Sequence, residues 1–225
     1  MSMTKNIAFA FLAAVAAIHA CDTNEAVGNN EGVTITEGSN SYPYGETFSG
    51  DGTYYGYTDG GHCSIYEPQP AIYAGMIPVA INKPQYENSL LCGACVEGRG
   101  TGGGSGHNPI PAFKGYISDE CPECQWGDLD LSQSGDGRWD IEWNFVLCPG
   151  GEPTFEFQGS NPWYWKLQPQ GTSSPVVELF VNNIPASKTM DNFFVMQEGT
   201  PFYGSQEVRA KTITGKEYTL QVKLD

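Results

Sequence analysis

The most informative segment of the chain reads Asp119-Glu-Cys121-Pro-Glu-Cys124-Gln-Trp126-Gly127-Asp128-Leu129-Asp130-Leu131-Ser132. It combines two closely spaced cysteines with several carboxylates, and it sets Asp130 between two leucines. Asp130 is therefore the first candidate for a chemical role. The alternative for Asp130 is a buried carboxylate that accepts backbone N–H groups. Asp128 is expected to be a solvated turn residue.

The composition predicts a turn-rich β protein. The chain has 28 glycines, 15 prolines and 12 tyrosines, and no apolar stretch of helical length and period follows residue 20. Its 225 residues suit two small domains. A formal charge of −15 disfavours nucleic acid and anionic membrane surfaces as partners, because both would repel the chain.

The N-terminus predicts export from the cell. Residues 1–20 have the pattern of a signal peptide, with Lys5, an apolar run over 7–18 that is too short to span a bilayer, and a small-residue cleavage site at Ala20. Cys21 comes next and is a candidate for lipidation; the alternative is an ordinary cleavage site. Residues 21–47 are poor in apolar side chains and predict a flexible tether.

The remaining cysteines predict disulfides. Six of the seven cysteines are left when Cys21 is set aside, and they include the pairs Cys92/Cys95 and Cys121/Cys124. Four thiolates would also suit zinc. However, a signal peptide directs the chain to an oxidising compartment, where six cysteines usually form three disulfides. We therefore predict neither a metal nor a cofactor.

Short alternating segments predict strands in both halves of the chain. In the first half they lie at 53–55, 76–81, 114–118 and 139–146. In the second half they lie at 154–157, 164–168, 176–181, 193–195, 207–211 and 218–224. The glycine-rich segment 98–107 is predicted to be a hairpin connection, because it lacks the lysine and following helix of a phosphate-binding loop.

Three motifs in this order resemble the expansins: Thr53-Tyr-Tyr-Gly56, Asp119-Glu-Cys-Pro-Glu-Cys124 and Gly127-Asp-Leu-Asp-Leu-Ser132. The resemblance covers residues 48–225 and implies an all-β fold. A six-stranded double-psi β-barrel, similar to the family-45 endoglucanases, would span 48–150. An immunoglobulin-like, carbohydrate-binding β-sandwich would span 151–225. The resemblance also implies the disulfides Cys63–Cys92, Cys95–Cys148 and Cys121–Cys124.

The resemblance implies a site on the barrel. Asp130 matches the general acid of the related endoglucanases, and the residues expected to bind substrate beside it are Thr53, Tyr54, Tyr55, Asp119 and Trp126. An inverting hydrolase also needs a second carboxylate as base. That position falls at Tyr57, and tyrosine has a pKa of about 10, so it is a poor base near neutral pH.

The missing base predicts wall loosening without net hydrolysis. The alternative is an active glycosidase, an endoglucanase or a peptidoglycan lytic enzyme, with Asp130 as acid and Asp59 or Asp119 as the second carboxylate. A third class is a small sugar-binding defence or signalling barrel. The second domain argues against that class, because such barrels usually lack an aromatic-bearing sandwich.

Aromatic residues predict a second binding surface. Trp163, Tyr164 and Trp165 are expected to bind substrate, since exposed rings stack on the faces of sugars; core packing is the alternative. The third aromatic of the expansin platform falls at Asp191. The expected partner is cell-wall polysaccharide: cellulose, with xyloglucan, chitin and peptidoglycan as further candidates. The protein is expected to be an extracellular monomer.

Overall fold

The computed structural model describes residues 43–108, 110–197, 199 and 201–224. The predicted signal peptide, the lipidation of Cys21 and most of the predicted tether lie outside the described residues. Within the described ranges, no helix is long and apolar enough to cross a membrane.

The described chain is almost entirely β-structure, which confirms the predicted class. Its only helical pieces are a 3₁₀ turn at Ala71–Tyr73 and the short helix α1 at Lys83–Tyr86. The strands are β1 Phe48–Tyr54, β2 Ile77–Asn82, β3 Cys95–Gly104, β4 Phe113–Cys121, β5 Leu129–Leu131, β6 Trp139–Val146, β7 Thr154–Phe157, β8 Tyr164–Gln170, β9 Val176–Val181, β10 Ile184–Pro185, β11 Ser187–Lys188, β12 Phe194–Gln197, β13 Ser205–Thr212 and β14 Glu217–Lys223.

The first six strands close into a barrel in the order β1-β5-β2-β4-β3-β6. The pairs β1–β5 and β2–β4 are parallel, and the other pairs are antiparallel. Alternation decides which side chains fill the interior. In β6, for example, Trp139, Ile141, Trp143 and Phe145 are buried, while the residues between them are not. The six-stranded barrel predicted by the resemblance is confirmed.

The predicted hairpin connection at 98–107 is wrong for most of its length, because β3 continues as a strand to Gly104. Gly98 of this strand makes room for a large ring. A Cβ on Gly98 would lie 2.5 Å from the Phe113 ring and 2.8 Å from Cβ of Trp143. Glycine in this strand therefore reflects close packing of the neighbouring strands.

The remaining strands form two four-stranded sheets, β10-β9-β13-β14 and β11-β12-β8-β7. They pack face to face around one apolar cluster. Trp165, Leu167 and Phe194 enter it from one sheet, and Val181 and Val208 enter it from the other. The predicted β-sandwich is confirmed. The short strands β10 and β11 have too few residues to show a period, so the sequence pattern did not reveal them.

Three disulfides brace the barrel: Cys63–Cys92, Cys95–Cys148 and Cys121–Cys124. These are the pairs implied by the resemblance. The first two close loops of 29 and 53 residues. Cross-links over loops of this length stabilise a fold by restricting its unfolded state.

The barrel and the sandwich are joined through polar contacts near Cys63. The Cys63 carbonyl accepts hydrogen bonds from Nε2 of Gln168 at 2.9 Å and from Nδ2 of Asn192 at 3.3 Å. Ser89 Oγ donates to the Thr189 carbonyl at 2.8 Å. All of these groups are buried or partly buried, so they fix the sandwich against this side of the barrel.

Candidate functional site

One row of residues crosses four neighbouring barrel strands. Thr53 of β1 pairs with Asp130 of β5, Asp130 pairs with Ala80 of β2, and Ala80 pairs with Asp119 of β4. We call these four residues the acidic row. Paired residues point to the same face of a sheet. Leu129 and Leu131 fill the interior, so Asp130 points to the outside of the barrel.

Asp130 is half-buried and held by Thr53. The Oγ1 hydroxyl of Thr53 donates a 2.6 Å hydrogen bond to Oδ1 of Asp130. Burial raises the pKa of Asp130, and the hydrogen bond from Thr53 works in the other direction. A carboxyl group with a raised pKa retains its proton to higher pH, and it can then donate a hydrogen bond or a proton to a ligand.

Asp119 is paired with His62, a residue that the sequence reasoning missed. Oδ1 of Asp119 accepts hydrogen bonds at 2.8 Å from the backbone N–H of His62, from Nδ1 of His62 and from the backbone N–H of Glu120. The preceding Gly61 allows this approach. It has φ +50°, and a Cβ there would lie 2.4 Å from the Ser118 carbonyl. The Gly60-Gly61 pair before His62 was the available sequence signal.

Tyr55 lies near both carboxylates. Burial raises its pKa to about 12, and the nearby charges of Asp119 and Asp130 add to the effect; a hydrogen bond with Ser118 opposes it. The phenol therefore remains a neutral hydrogen-bond donor throughout the physiological range. The structure thus gathers Thr53, Tyr55, Asp119 and Asp130 on one side of the barrel.

Tyr57 lies where the resemblance expects a second catalytic carboxylate. Its side chain is exposed, and its hydroxyl donates to Oδ1 of Asp59 at 3.2 Å. The same oxygen of Asp59 accepts the backbone N–H of Glu67 at 3.0 Å. Asp59 is thus held within its own loop, where it braces Tyr57 and the turn before Pro68.

Among the described residues, neither Tyr54 nor Trp126 has a side-chain hydrogen bond with Asp130. Tyr54 follows Thr53 on β1 and points the other way, with its ring centroid 5.9 Å from that of Trp139. Trp126 is exposed, and its ring edge contacts Phe48 at the opposite end of β1.

Asp128 is buried, so its prediction as a solvated turn residue was wrong. Its two carboxylate oxygens accept the backbone N–H groups of Asp51 and Gln125, each at 2.8 Å. Asp128 therefore holds the turn that leads into β5. A buried carboxylate in a turn is retained because it satisfies backbone donors that would otherwise lack partners.

The sandwich presents Trp163 and Tyr164 from a tight turn. Asn161 and Tyr164 exchange backbone hydrogen bonds of 2.8 and 3.0 Å, and the Asn161 side chain accepts the Trp163 N–H at 2.9 Å. Trp163, in the middle of this turn, is 52% exposed. The turn breaks the strand alternation at this point, and Tyr164 begins β8 beside it, partly exposed.

The prediction that Trp165 binds substrate was wrong. Trp165 is fully buried between the two sheets, where its ring contacts Phe157 and Phe202 at centroid distances of 5.2 Å. Because Trp163 lies in the turn and not in the strand, Trp165 is the first residue of this run to point inwards. No polysaccharide can reach it in the folded protein.

The position of the third platform aromatic holds an ion pair. Oδ2 of Asp191 lies 2.6 Å from Nζ of Lys166, which also donates to Gln158 at 2.6 Å. Although partial burial works in the other direction, the hydrogen bonds from Lys166 and Thr189 hold the pKa of Asp191 below its usual value. Asp191 is thus an anion at neutral pH.

Two solved structures are similar to this chain over most of its length. One is a crystal structure of a mutant expansin from Clavibacter michiganensis in complex with cellohexaose. It shares 22% identity over 80% of this chain and 92% of its own, with a TM-score of 0.65. The other is the apo form of the Clavibacter michiganensis expansin, with 23% identity over the same shares and a TM-score of 0.61. The chain has the expansin fold. No protein-family model and no curated protein sequence matches it.

Proposed function

We propose that this protein is an extracellular, expansin-like protein that binds cellulose or a related neutral wall polysaccharide and loosens contacts between its chains without net hydrolysis. The observation that carries the proposal is a candidate general acid with no carboxylate at the position of the catalytic base. Asp130 has a raised pKa in the acidic row, while Tyr57 occupies the position where the resemblance expects the base. The similarity to an expansin whose crystal structure contains cellohexaose supports a glucan as the ligand.

Asp130 is the group that acts on a single polysaccharide chain. In its protonated form it donates a hydrogen bond to a sugar hydroxyl or to a glycosidic oxygen, and Thr53 fixes the orientation of the carboxyl group. Tyr55 supplies a second neutral donor beside it. These bonds compete with the hydrogen bonds that join one polysaccharide chain to the next, so a chain held in the acidic row is loosened from its neighbours.

Trp163 and Tyr164 supply the main holding contacts. Exposed rings offer apolar faces to the apolar faces of sugar rings, and stacking of this kind tolerates movement along a chain. The contacts of Gln168 and Asn192 with Cys63 keep the sandwich beside the loop that carries His62, the residue bound to Asp119. This arrangement favours a polysaccharide chain that contacts both domains together.

The disulfides and the predicted signal peptide support an extracellular location. Cysteines paired as three disulfides are stable outside the cytosol, where thiols are not kept reduced. The formal charge of −15 makes a polyanionic wall polymer a poor ligand, and it favours neutral glucans.

An inverting glycosidase is the second candidate function. Asp119 and Asp130 flank Ala80 in the acidic row, so their backbones are two strand spacings apart, about 10 Å. Carboxyl groups separated by roughly 6.5–9.5 Å are typical of inverting enzymes. Asp119 would then be the base, although three N–H groups already bind its Oδ1 atom.

The test combines binding, loosening and product release. Purified protein is mixed with cellulose, and the bound fraction, the extension of a clamped wall or paper strip under load, and the reducing sugar released are all measured. We expect binding and extension without sustained sugar release. Steady release that disappears in Asp130→Asn would establish the glycosidase instead, and failure to bind any wall glucan would contradict both functions.

A further inference from the structure

The ion pair of Lys166 and Asp191 lies on the same sheet face as Tyr164. Lys166 and Tyr164 are two residues apart in β8, so their side chains share a face and stand about 7 Å apart along the strand. Across the sheet, Lys166 pairs with Val195 of β12. The ion pair is therefore part of the outer surface next to the aromatic pair, and not part of the sandwich core.

The ion pair also lies on the side of the sandwich that faces the barrel. The residues on both sides of Asp191 contact barrel groups: the Met190 carbonyl accepts from the Tyr86 hydroxyl at 3.2 Å, and the Asn192 side chain donates to the Cys63 carbonyl. Asp191 therefore lies where the sandwich meets the barrel, on the same sheet face as Tyr164.

The pair is rigid and has free hydrogen-bonding capacity. Lys166 is mostly buried, with Gln158, Asp191 and the Phe193 ring around its Nζ atom. The Asp191 side chain is 43% exposed, and its two oxygens accept from Lys166 and from Thr189. Each carboxylate oxygen has a further lone pair, so Asp191 can still accept hydrogen bonds from sugar hydroxyls.

We propose that the Lys166–Asp191 pair makes this surface selective for hydrated, non-crystalline neutral glucan over crystalline cellulose. This inference rests on the proposed function and names the substrate class of the same surface. A flexible chain can turn its hydroxyl groups towards Asp191 and replace the water there. A crystal face presents flat, apolar ring faces at fixed positions, so it would strip water from the carboxylate without supplying hydrogen bonds in return.

The experiment compares binding to two forms of one polymer. The probes are regenerated amorphous cellulose and microcrystalline cellulose, with bound protein normalised to the accessible surface of each. We expect the native protein to bind the amorphous form about tenfold more tightly, the factor that corresponds to about 1.4 kcal/mol. In the variant Lys166→Met/Asp191→Leu the preference should fall to less than about twofold, because the charges are gone while the side chains stay similar in size.

The matched control is Lys211→Met/Glu178→Leu. It removes the ion pair between strands β13 and β9, where Nζ and Oε1 lie 3.1 Å apart on the other sheet. This control should keep the tenfold preference of about 1.4 kcal/mol. If the double variant does not fold, Asp191→Asn replaces it in the comparison, because its amide oxygen can still accept from Thr189. This variant should lower the preference for amorphous cellulose, but less than the double variant does.

The outcomes separate the two proposals. Equal binding of the native protein to both forms of cellulose would overturn the selectivity, and so would a preference that survives in all Asp191 variants. Either result would leave wall loosening intact. A protein that binds neither form, nor any other neutral wall glucan, would overturn the proposed function itself.

Discussion

Thr53 and Asp130 are 77 residues apart in the chain, yet the Thr53 hydroxyl donates a 2.6 Å hydrogen bond to Oδ1 of Asp130. The parallel pairing of β1 with β5 brings the two residues side by side. Because this bond lowers the pKa of Asp130 while burial raises it, Thr53 tunes the proton affinity of the candidate acid.

Asp130→Asn should remove most of the wall loosening and leave polysaccharide binding nearly unchanged. The amide keeps the shape of the carboxyl group but has no acidic proton, so it is a weaker hydrogen-bond donor; a hydrogen bond between neutral groups contributes about 0.5–1.5 kcal/mol, up to about tenfold. Extension assays and cellulose pull-down on the same preparation check this. If the variant loses activity only in proportion to its unfolded fraction, Asp130 is a structural carboxylate.

Thr53→Val should move the pH dependence of loosening upwards. Loosening that needs protonated Asp130 declines as the pH rises through the pKa of Asp130. Removal of the Thr53 hydroxyl deletes an interaction that lowers this pKa, so the decline should occur at higher pH. Extension rates across a pH series check the shift. Thr53→Ser, which keeps a hydroxyl, is the control, and an unchanged profile in Thr53→Val would contradict the role of the bond.

Trp163→Ala together with Tyr164→Ala should weaken cellulose binding at least about tenfold. Stacking of a planar ligand on an aromatic side chain contributes about 1–3 kcal/mol per ring in nucleic acids, which serves as the analogy for sugars. Pull-down isotherms measure the change, and circular dichroism checks that the sandwich remains folded. Unchanged binding would shift the main surface to the barrel, where Tyr55 and Trp126 are the next candidates.

Trp165→Phe should lower stability without lowering the affinity of the folded protein for cellulose. Trp165 is fully buried, so the smaller ring leaves a cavity that costs about 2 kcal/mol. The loss is limited because the Trp165 Nε1 atom has no hydrogen-bond partner among the described residues. Denaturant unfolding and pull-down at low temperature measure the two effects. A weaker affinity at full folding would contradict the core assignment.

Lys188→Met should stabilise the sandwich more at pH 6 than at pH 9. Burial lowers the pKa of Lys188 to about 7, although Asp191 works in the other direction; its Nζ atom lies among the Val176 carbonyl, Asn192 and the Phe194 ring.

The sign of the Lys188 effect follows from proton linkage. In the unfolded chain the lysine keeps its proton to about pH 10.4, so between pH 7 and that value the unfolded state binds more protons. Lys188 therefore penalises folding fully below pH 7, and the penalty declines as the pH rises. Urea unfolding of both proteins at pH 6 and pH 9 measures it; an equal difference at the two values would contradict the prediction.

Local pattern alone predicted most of the strands. Six strands of the sandwich and β2, β4 and β6 of the barrel could be predicted because alternation has a period of two residues and needs no knowledge of distant contacts. Asp130 could also be identified as a candidate functional residue from its own neighbours, Leu129 and Leu131. The glycines of β3 misled the same reasoning; Gly98, for example, leaves room for the Phe113 ring and for Cβ of Trp143.

The sequence by itself thus determined an all-β chain with an acidic motif, paired cysteines and an aromatic run. Only the tertiary structure decided which of these residues meet. His62 binds Asp119, which is 57 residues away in the chain, and Lys166 of β8 binds Asp191 in the turn before β12. Trp165 points into the core because the turn before it contains Trp163. The physical reason is strand register: Asp119, Lys166 and Trp165 lie in strands, a shift of one residue would turn each of them to the opposite face, and no local pattern encodes the partner strand.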